Sequence, residues 1–267
     1  MHTSNIAPGT NVAENWAEMT QVQELQGNDC PVRPHFFRRL GRSILAGVLA
    51  TLVAGSALAE DSTVHGTVRV LHRGEGDGDS ADVVISLIPV QAGGMVRPGP
   101  TARLMQKNKK FIPHVVAITQ GTEIEFPNQD LFFHNVFSIH QGKTFDLGLY
   151  ESGAARKVKF SQVGVSYIFC NIHPQMSAVV VVLRTRYFAL SDTDGNFQIS
   201  HVPPGRYRLA VWYELTAESE LNAQGKEIEV VSGDNAIERI VLHSTDAPPE
   251  HPNKDGDPYY SGPSKTR

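Results

Sequence analysis

From residue 63 onward the chain is written in short apolar runs separated by turn signals, and this rhythm confines it to a strand-rich fold. The runs at 64–71 and 83–90 bracket an acidic, glycine-rich stretch over 72–82. Those at 115–118 and 122–126 flank Gln120-Gly121 and read as a hairpin. The runs at 163–169 and 178–183 flank the segment Cys170-Asn-Ile-His-Pro-Gln-Met176. Shorter runs follow at 187–190, 197–199, 207–213, 227–231 and 237–242, with turns at 192–196 and 202–205. Helical periodicity is confined to 214–223, which has room for a turn or two. The 23 glycines and 16 prolines among 267 residues suit such a chain. The expectation is all-β, a sandwich or a barrel.

A targeting segment precedes this region. Arg38, Arg39 and Arg42 form a positive stretch, no charge occurs from Ser43 to Ala59, and Ala57-Leu58-Ala59 has the form of a cleavage site. Residues 1–59 therefore read as an N-terminal extension and signal peptide. The uncharged run is short and rich in Ala and Gly, so no membrane span is expected after cleavage. Residues 1–35 are long and polar for such a leader, and the true translation start stays open. At the other end, 244–267 is proline-rich and poor in apolar residues, and reads as a disordered tail.

Composition excludes several classes. Apolar residues at 40% allow a sizeable core. With 24 basic and 28 acidic residues the net charge is −4, which gives no case for nucleic acid. The two cysteines are Cys30 and Cys170, too few for a disulfide scaffold or a four-cysteine metal site. Cleavage after Ala59 removes Cys30, and a single thiol in an oxidising compartment calls for a reason.

Cys170-x2-His173-x2-Met176 supplies one. It sits where one strand run ends and the next begins, and His134 lies at the end of another expected strand. A thiolate, two imidazoles and a weak axial thioether are the donors of a blue-copper electron-transfer centre. Thiolate and thioether stabilise Cu(I), and imidazole suits both oxidation states. Taken singly, Cys170 reads as a core thiol and His134 as a loop histidine; the combined spacing points to metal. His65, His72, His114, His140, His201, His243 and His251 have no partner spacing and read as surface or turn residues. Asp192-x-Asp194-Gly195 reads as a hairpin turn, since no acidic ligand follows at calcium-loop spacing. Asp77, Asp79 and Asp82 read as solvated loop carboxylates, and Lys107, Lys109 and Lys110 as a solvated edge. Phe132 and Phe133 suit either an apolar rim or core packing.

The segment 106–183 resembles a cupredoxin. The likeness is carried by Asn108-Lys-Lys-Phe-Ile-Pro113, Gly121-Thr-Glu-Ile-Glu-Phe-Pro-Asn128, His134-Asn-Val and the C-x2-H-P-x-M loop, whose short spacing is similar to that of amicyanin. The chain beyond the leader resembles exported plastocyanin-like proteins described as methylamine-utilisation proteins. The stretch 192–212 resembles a carboxypeptidase-regulatory-like, prealbumin-type sandwich. The resemblance implies a cupredoxin Greek-key β-sandwich over 62–184 and a smaller prealbumin-like β-sandwich over 185–243. It implies one type 1 copper held by His134, Cys170 and His173 with Met176 axial. Asn135 would tie the two ligand loops together, and Pro174, which lacks an N–H, would withhold a hydrogen bond from the Cys170 sulfur.

The function so implied is an exported electron carrier, periplasmic and monomeric, with a transient redox-protein partner and no enzyme activity. Multicopper oxidases and copper nitrite reductases need further histidines. The chain has no His-x-His pair, and a binuclear copper-A centre needs a second cysteine. Copper delivery, or a non-catalytic binding module of the same fold, is the alternative. Nothing in the residues points to an amine substrate.

Overall fold

The computed structural model of the chain describes residues 62–72, 79–91, 96–139, 142–245 and Lys254. The expected leader over 1–59, Asp77, His140, His251 and most of the expected tail lie outside the described residues. No helix among the described residues is long and apolar enough to cross a membrane.

The fold is all-β. In chain order the strands are β1 (Ser62–Leu71), β2 (Val84–Pro89), β3 (Ala102–Arg103), β4 (Met105–Lys107), β5 (Lys110–Ile112) and β6 (Val115–Thr119). Then come β7 (Glu123–Pro127), β8 (His134–Ser138), β9 (Phe145–Tyr150), β10 (Ala155–Lys159), β11 (Gly164–Phe169) and β12 (Ser177–Leu183). The last are β13 (Phe188–Leu190), β14 (Asn196–Val202), β15 (Gly205–Trp212), β16 (Lys226–Val230), β17 (Asp234–Ala236) and β18 (Ile240–His243). A short helix, α1 (Glu218–Ala223), lies between β15 and β16.

Two sandwiches result. In the first, a five-stranded sheet of order β6-β12-β11-β8-β9 faces a three-stranded sheet of order β10-β7-β3. Leu104, Ile124, Phe126 and Val158 meet Val116, Ile118, Val136, Ile168 and Val180 between them. In the second, β1 lies between β14 on one side and β17 and β18 on the other, and the facing sheet has the order β13-β2-β15-β16. Its core includes Val64, Val68, Ile85, Leu87, Phe197 and Leu209.

Strand β12 shows why the sandwiches stay together. Its sequence, SAVVVVL, has no polar alternation, the pattern of a strand buried on both faces. Ala178, Val180 and Val182 enter the first core, while Val179, Val181 and Leu183 join the second. Val115 and Val165 extend that second face. Each such side chain withdrawn from water contributes about 1.5–3 kcal/mol, so the small sandwich gains much of its stability at this seam.

Two expectations differ from the observed pairing. The division at 184/185 does not describe the strands: β1 and β2 pair with β14 and β15, so residues before the first sandwich supply central strands of the second. The expected hairpin over 115–126 is also absent. β6 runs parallel to β12, whereas β7 pairs with β10 and β3 in the facing sheet. The turn at Gly121, with φ of +86°, carries the chain from one layer to the other. Alternation reports which side chains face inward; it does not name the neighbouring strand.

Candidate metal centre

Strands β11 and β12 pair antiparallel up to Phe169 and Ser177, so residues 170–176 form the loop between them. The loop is cinched from inside. The Cys170 N–H donates to the Met176 carbonyl at 3.3 Å, and the Met176 N–H to the His173 carbonyl at 2.9 Å. Cys170 and Met176 are fully buried, and both belong to the first sandwich's core. His173 is half-buried, and Pro174 and Gln175 are exposed.

His134 is also fully buried. It opens β8, where the sequence pattern predicts the end of a strand. Because β8 pairs with β11 at Phe137 and Phe169, the His134 ring is carried to the mouth of the 170–176 loop.

The structure brings three of the four expected ligands into one cluster. Cys170 Sγ lies 3.7 Å from Nδ1 of His134 and 3.7 Å from Nδ1 of His173. The three donor atoms all lie within 4.8 Å of one another. Two donors about 2.0 and 2.3 Å from one ion, as nitrogen and sulfur ligands typically stand, are about 3.7 Å apart when the angle opens to about 120°. The His134 and His173 ring centroids are 4.9 Å apart, inclined by 59°. The residues present therefore fit a soft ion held by two imidazoles and a thiolate, with Met176 buried in the same core as Cys170. Burial pushes the His173 imidazole below the ordinary histidine value, and the neighbouring His134 and Lys109 act in the same direction. A neutral imidazole is the form that binds metal.

Asn135 bridges the two ligand-bearing segments. Its Oδ1 accepts the Asn171 N–H at 3.3 Å, and its Nδ2 donates to Asp146 Oδ1 at 2.7 Å. Lys254 reaches the same place: its N–H donates to Asn171 Oδ1 at 3.0 Å and its Nζ pairs with Asp146 Oδ2 at 3.1 Å. Burial alone would raise the Asp146 carboxyl, yet the Gly148 N–H, Asn135 and Lys254 hold it below the ordinary carboxylate value.

Sequence reasoning missed the loop before His134. Asn128 is fully buried and organises it, donating to the carbonyls of Phe132 and Tyr150 and accepting the Asp130 N–H at 3.0 Å. Asp130 Oδ2 then accepts a hydrogen bond from His134 Nε2 at 2.8 Å. Burial by itself raises the Asp130 carboxyl; the Lys109 N–H, His134 and the Asn108 N–H bring it below the ordinary value. The Asn-x-Asp spacing was a turn signal, but nothing local marked Asp130 as a partner of His134.

The centre is rimmed by apolar residues. Leu131 is 94% exposed, Phe133 56%, Ile172 48% and Phe132 39%. The Phe132 ring lies 5.0 Å from that of His134 and 5.7 Å from that of His173. Lys109 is exposed, as a solvated edge requires, and its Nζ sits 5.7 Å from the Phe132 ring centroid, so it borders this rim.

No family model matches the chain, and no curated protein matches it. Solved structures similar to part of it include a cupredoxin and copper-containing proteins. The purple cupredoxin from Nitrosopumilus maritimus is 24% identical over 31% of this chain and 99% of its own, with a TM-score of 0.28. A mutant amicyanin in its reduced Cu(I) form is 18% identical over 38% of this chain and 99% of its own, with a TM-score of 0.29. The Cu-containing nitrite reductase from Thermus scotoductus SA-01 is 24% identical over 36% of this chain, with a TM-score of 0.31; the match spans only 25% of its own length.

Proposed function

We propose that the chain is an exported type 1 copper protein that carries single electrons between redox partners, acting as a monomer in the periplasm. The observation that carries this reading is the pair of 3.7 Å separations between Cys170 Sγ and the two histidine Nδ1 atoms. Bound copper would supply a one-electron couple.

The residues divide the remaining work. Cys170 and Met176 provide soft donors from a core that excludes water. His134 is anchored on β8, and the loop hydrogen bonds fix Cys170 and Met176, so the donors move little when the charge of the site changes. His173 is the least buried donor and faces the apolar rim, so a partner docking there meets the site at this ring. A rim of this kind suits a small, transient interface. With Met176 as the expected fourth donor, the site would have no open metal position for substrate, which supports a carrier over an enzyme.

The test is a visible absorption spectrum of protein beginning at residue 60, titrated with Cu(II), beside Cys170→Ser. An intense thiolate charge-transfer band, bleached by reductant and absent in the variant, is expected. Folded protein without the band refutes the reading, and ready transfer of copper to an acceptor would favour delivery.

A further inference from the structure

We propose that Asp130 is a positioning residue for this centre: its carboxylate holds the His134 ring in the tautomer that turns a bare Nδ1 toward Cys170, and it biases the site toward the higher oxidation state. The second clause rests on the copper reading above; the first does not.

The carboxylate is built into the fold. Asp130 is 7% exposed and His134 fully buried. A buried carboxylate is costly unless its oxygens are satisfied. Here Oδ1 accepts the Asn108 N–H at 2.6 Å, and Oδ2 accepts the Lys109 N–H at 2.9 Å besides the His134 ring at 2.8 Å. The two N–H groups converge because Asn108 and Lys109, at the turn of the β4–β5 hairpin, both have left-handed backbones, with φ of +55° and +56°. That conformation is unfavourable for a residue such as lysine. A turn of this type favours glycine at its second central position. A lysine held there against its preference, with its N–H on Asp130, marks the turn as a cradle for the carboxylate.

The chemical consequence follows from where the proton sits. Nε2 donates to Asp130, so the Nε2 proton is fixed and Nδ1 keeps its lone pair on the side of Cys170. A carboxylate behind a ligand imidazole raises its basicity and places negative charge close to the ion. Both effects favour the more highly charged ion.

Long-range proton–nitrogen NMR of the metal-free protein at neutral pH reads the tautomer. Wild type should populate the Nε2–H form alone, and Asp130→Asn should populate both. A mixture or the Nδ1–H form in wild type overturns the proposal, and this measurement needs no variant to fold. In the copper-loaded protein, Asp130→Asn should weaken Cu(II) binding about 10–100-fold with little change for Cu(I). Each tenfold difference raises the potential by about 59 mV. An unchanged potential in a folded, blue variant overturns the oxidation-state clause. Wild type with the single Nε2–H tautomer but no charge-transfer band would refute the copper reading and that clause with it, while upholding the positioning role.

Discussion

His114 Nε2 and Glu214 Oε2 stand 2.6 Å apart and join positions 100 residues apart in the chain. His114 immediately precedes β6 of the first sandwich, and Glu214 follows β15 of the second. The other ring nitrogen, Nδ1, lies 3.2 Å from the carbonyl of Ser177, the first residue after the 170–176 loop. A histidine that reads from sequence as a surface or turn residue thus pins the seam beside the strand leaving the site.

This contact makes stability depend on pH in a defined direction. The hydrogen bond to Glu214 is the main cause that raises His114 above its ordinary 6.5; burial opposes it, and the Glu214 charge adds to it. The folded value lies above the unfolded one, so the contribution is complete below about pH 6.5 and is lost as pH rises through the folded value. The stability difference between wild type and Glu214→Gln, from urea unfolding, should shrink between about pH 6 and about pH 9. A difference that widens over this range would contradict the assignment.

The strand pairing predicts that residues 185–245 do not fold alone. Without β1 and β2, β14 loses its partner in one sheet and β13 and β15 lose their shared neighbour in the other. The fragment should give a collapsed amide NMR spectrum, and a chain starting at residue 62 a dispersed one. Native-like dispersion from the fragment would mean that the two early strands are dispensable.

Gly195 should tolerate no side chain. It has φ of +80°, and an added Cβ would stand 1.9 Å from the Val68 carbonyl oxygen. Its own carbonyl accepts the Val68 N–H at 2.8 Å, so the backbone cannot retreat without losing that bond. Gly195→Ala should cost about 3 kcal/mol in denaturant unfolding. Gly153 has the same φ, but an added Cβ there meets nothing within 4 Å. Gly153→Ala should cost only the strain, about 1 kcal/mol.

Pro174 should tune the potential of a copper-loaded site. Proline has no N–H to offer the neighbouring thiolate, whereas alanine at this exposed loop position does. One more donor stabilises the electron-rich reduced state, so Pro174→Ala should raise the reduction potential. Voltammetry on both proteins decides the point, and an equal or lower value in the variant would contradict it.

The strand content and the candidate ligand loop were legible in the sequence because both are local. The unbroken run in β12 announced a strand, and its lack of alternation matches burial on both faces. Cys170, His173 and Met176 lie in one loop between two strand runs, so their proximity needs no knowledge of the rest of the chain. The role of Asn135 came only from the resemblance to a cupredoxin, and the structure has it bridging to Asn171.

What the sequence by itself determined is therefore the set of things that neighbours along the chain decide: an all-β class, the turn positions and a soft donor set at fixed spacing. Only the tertiary structure decided that β6 and β7 part into different sheets and that β1 and β2 serve the C-terminal sandwich. It alone decided that Asp130 backs His134 from a cradle made by the β4–β5 turn, and that His114 and Glu214 close the seam. The physical reason is the same in each case. Hydrophobic alternation specifies which way a side chain faces, and turn chemistry specifies where the chain bends. Partner choice depends on how layers bury both faces of a strand such as β12, and on which buried charge can find its hydrogen bonds, and these are properties of the assembled fold.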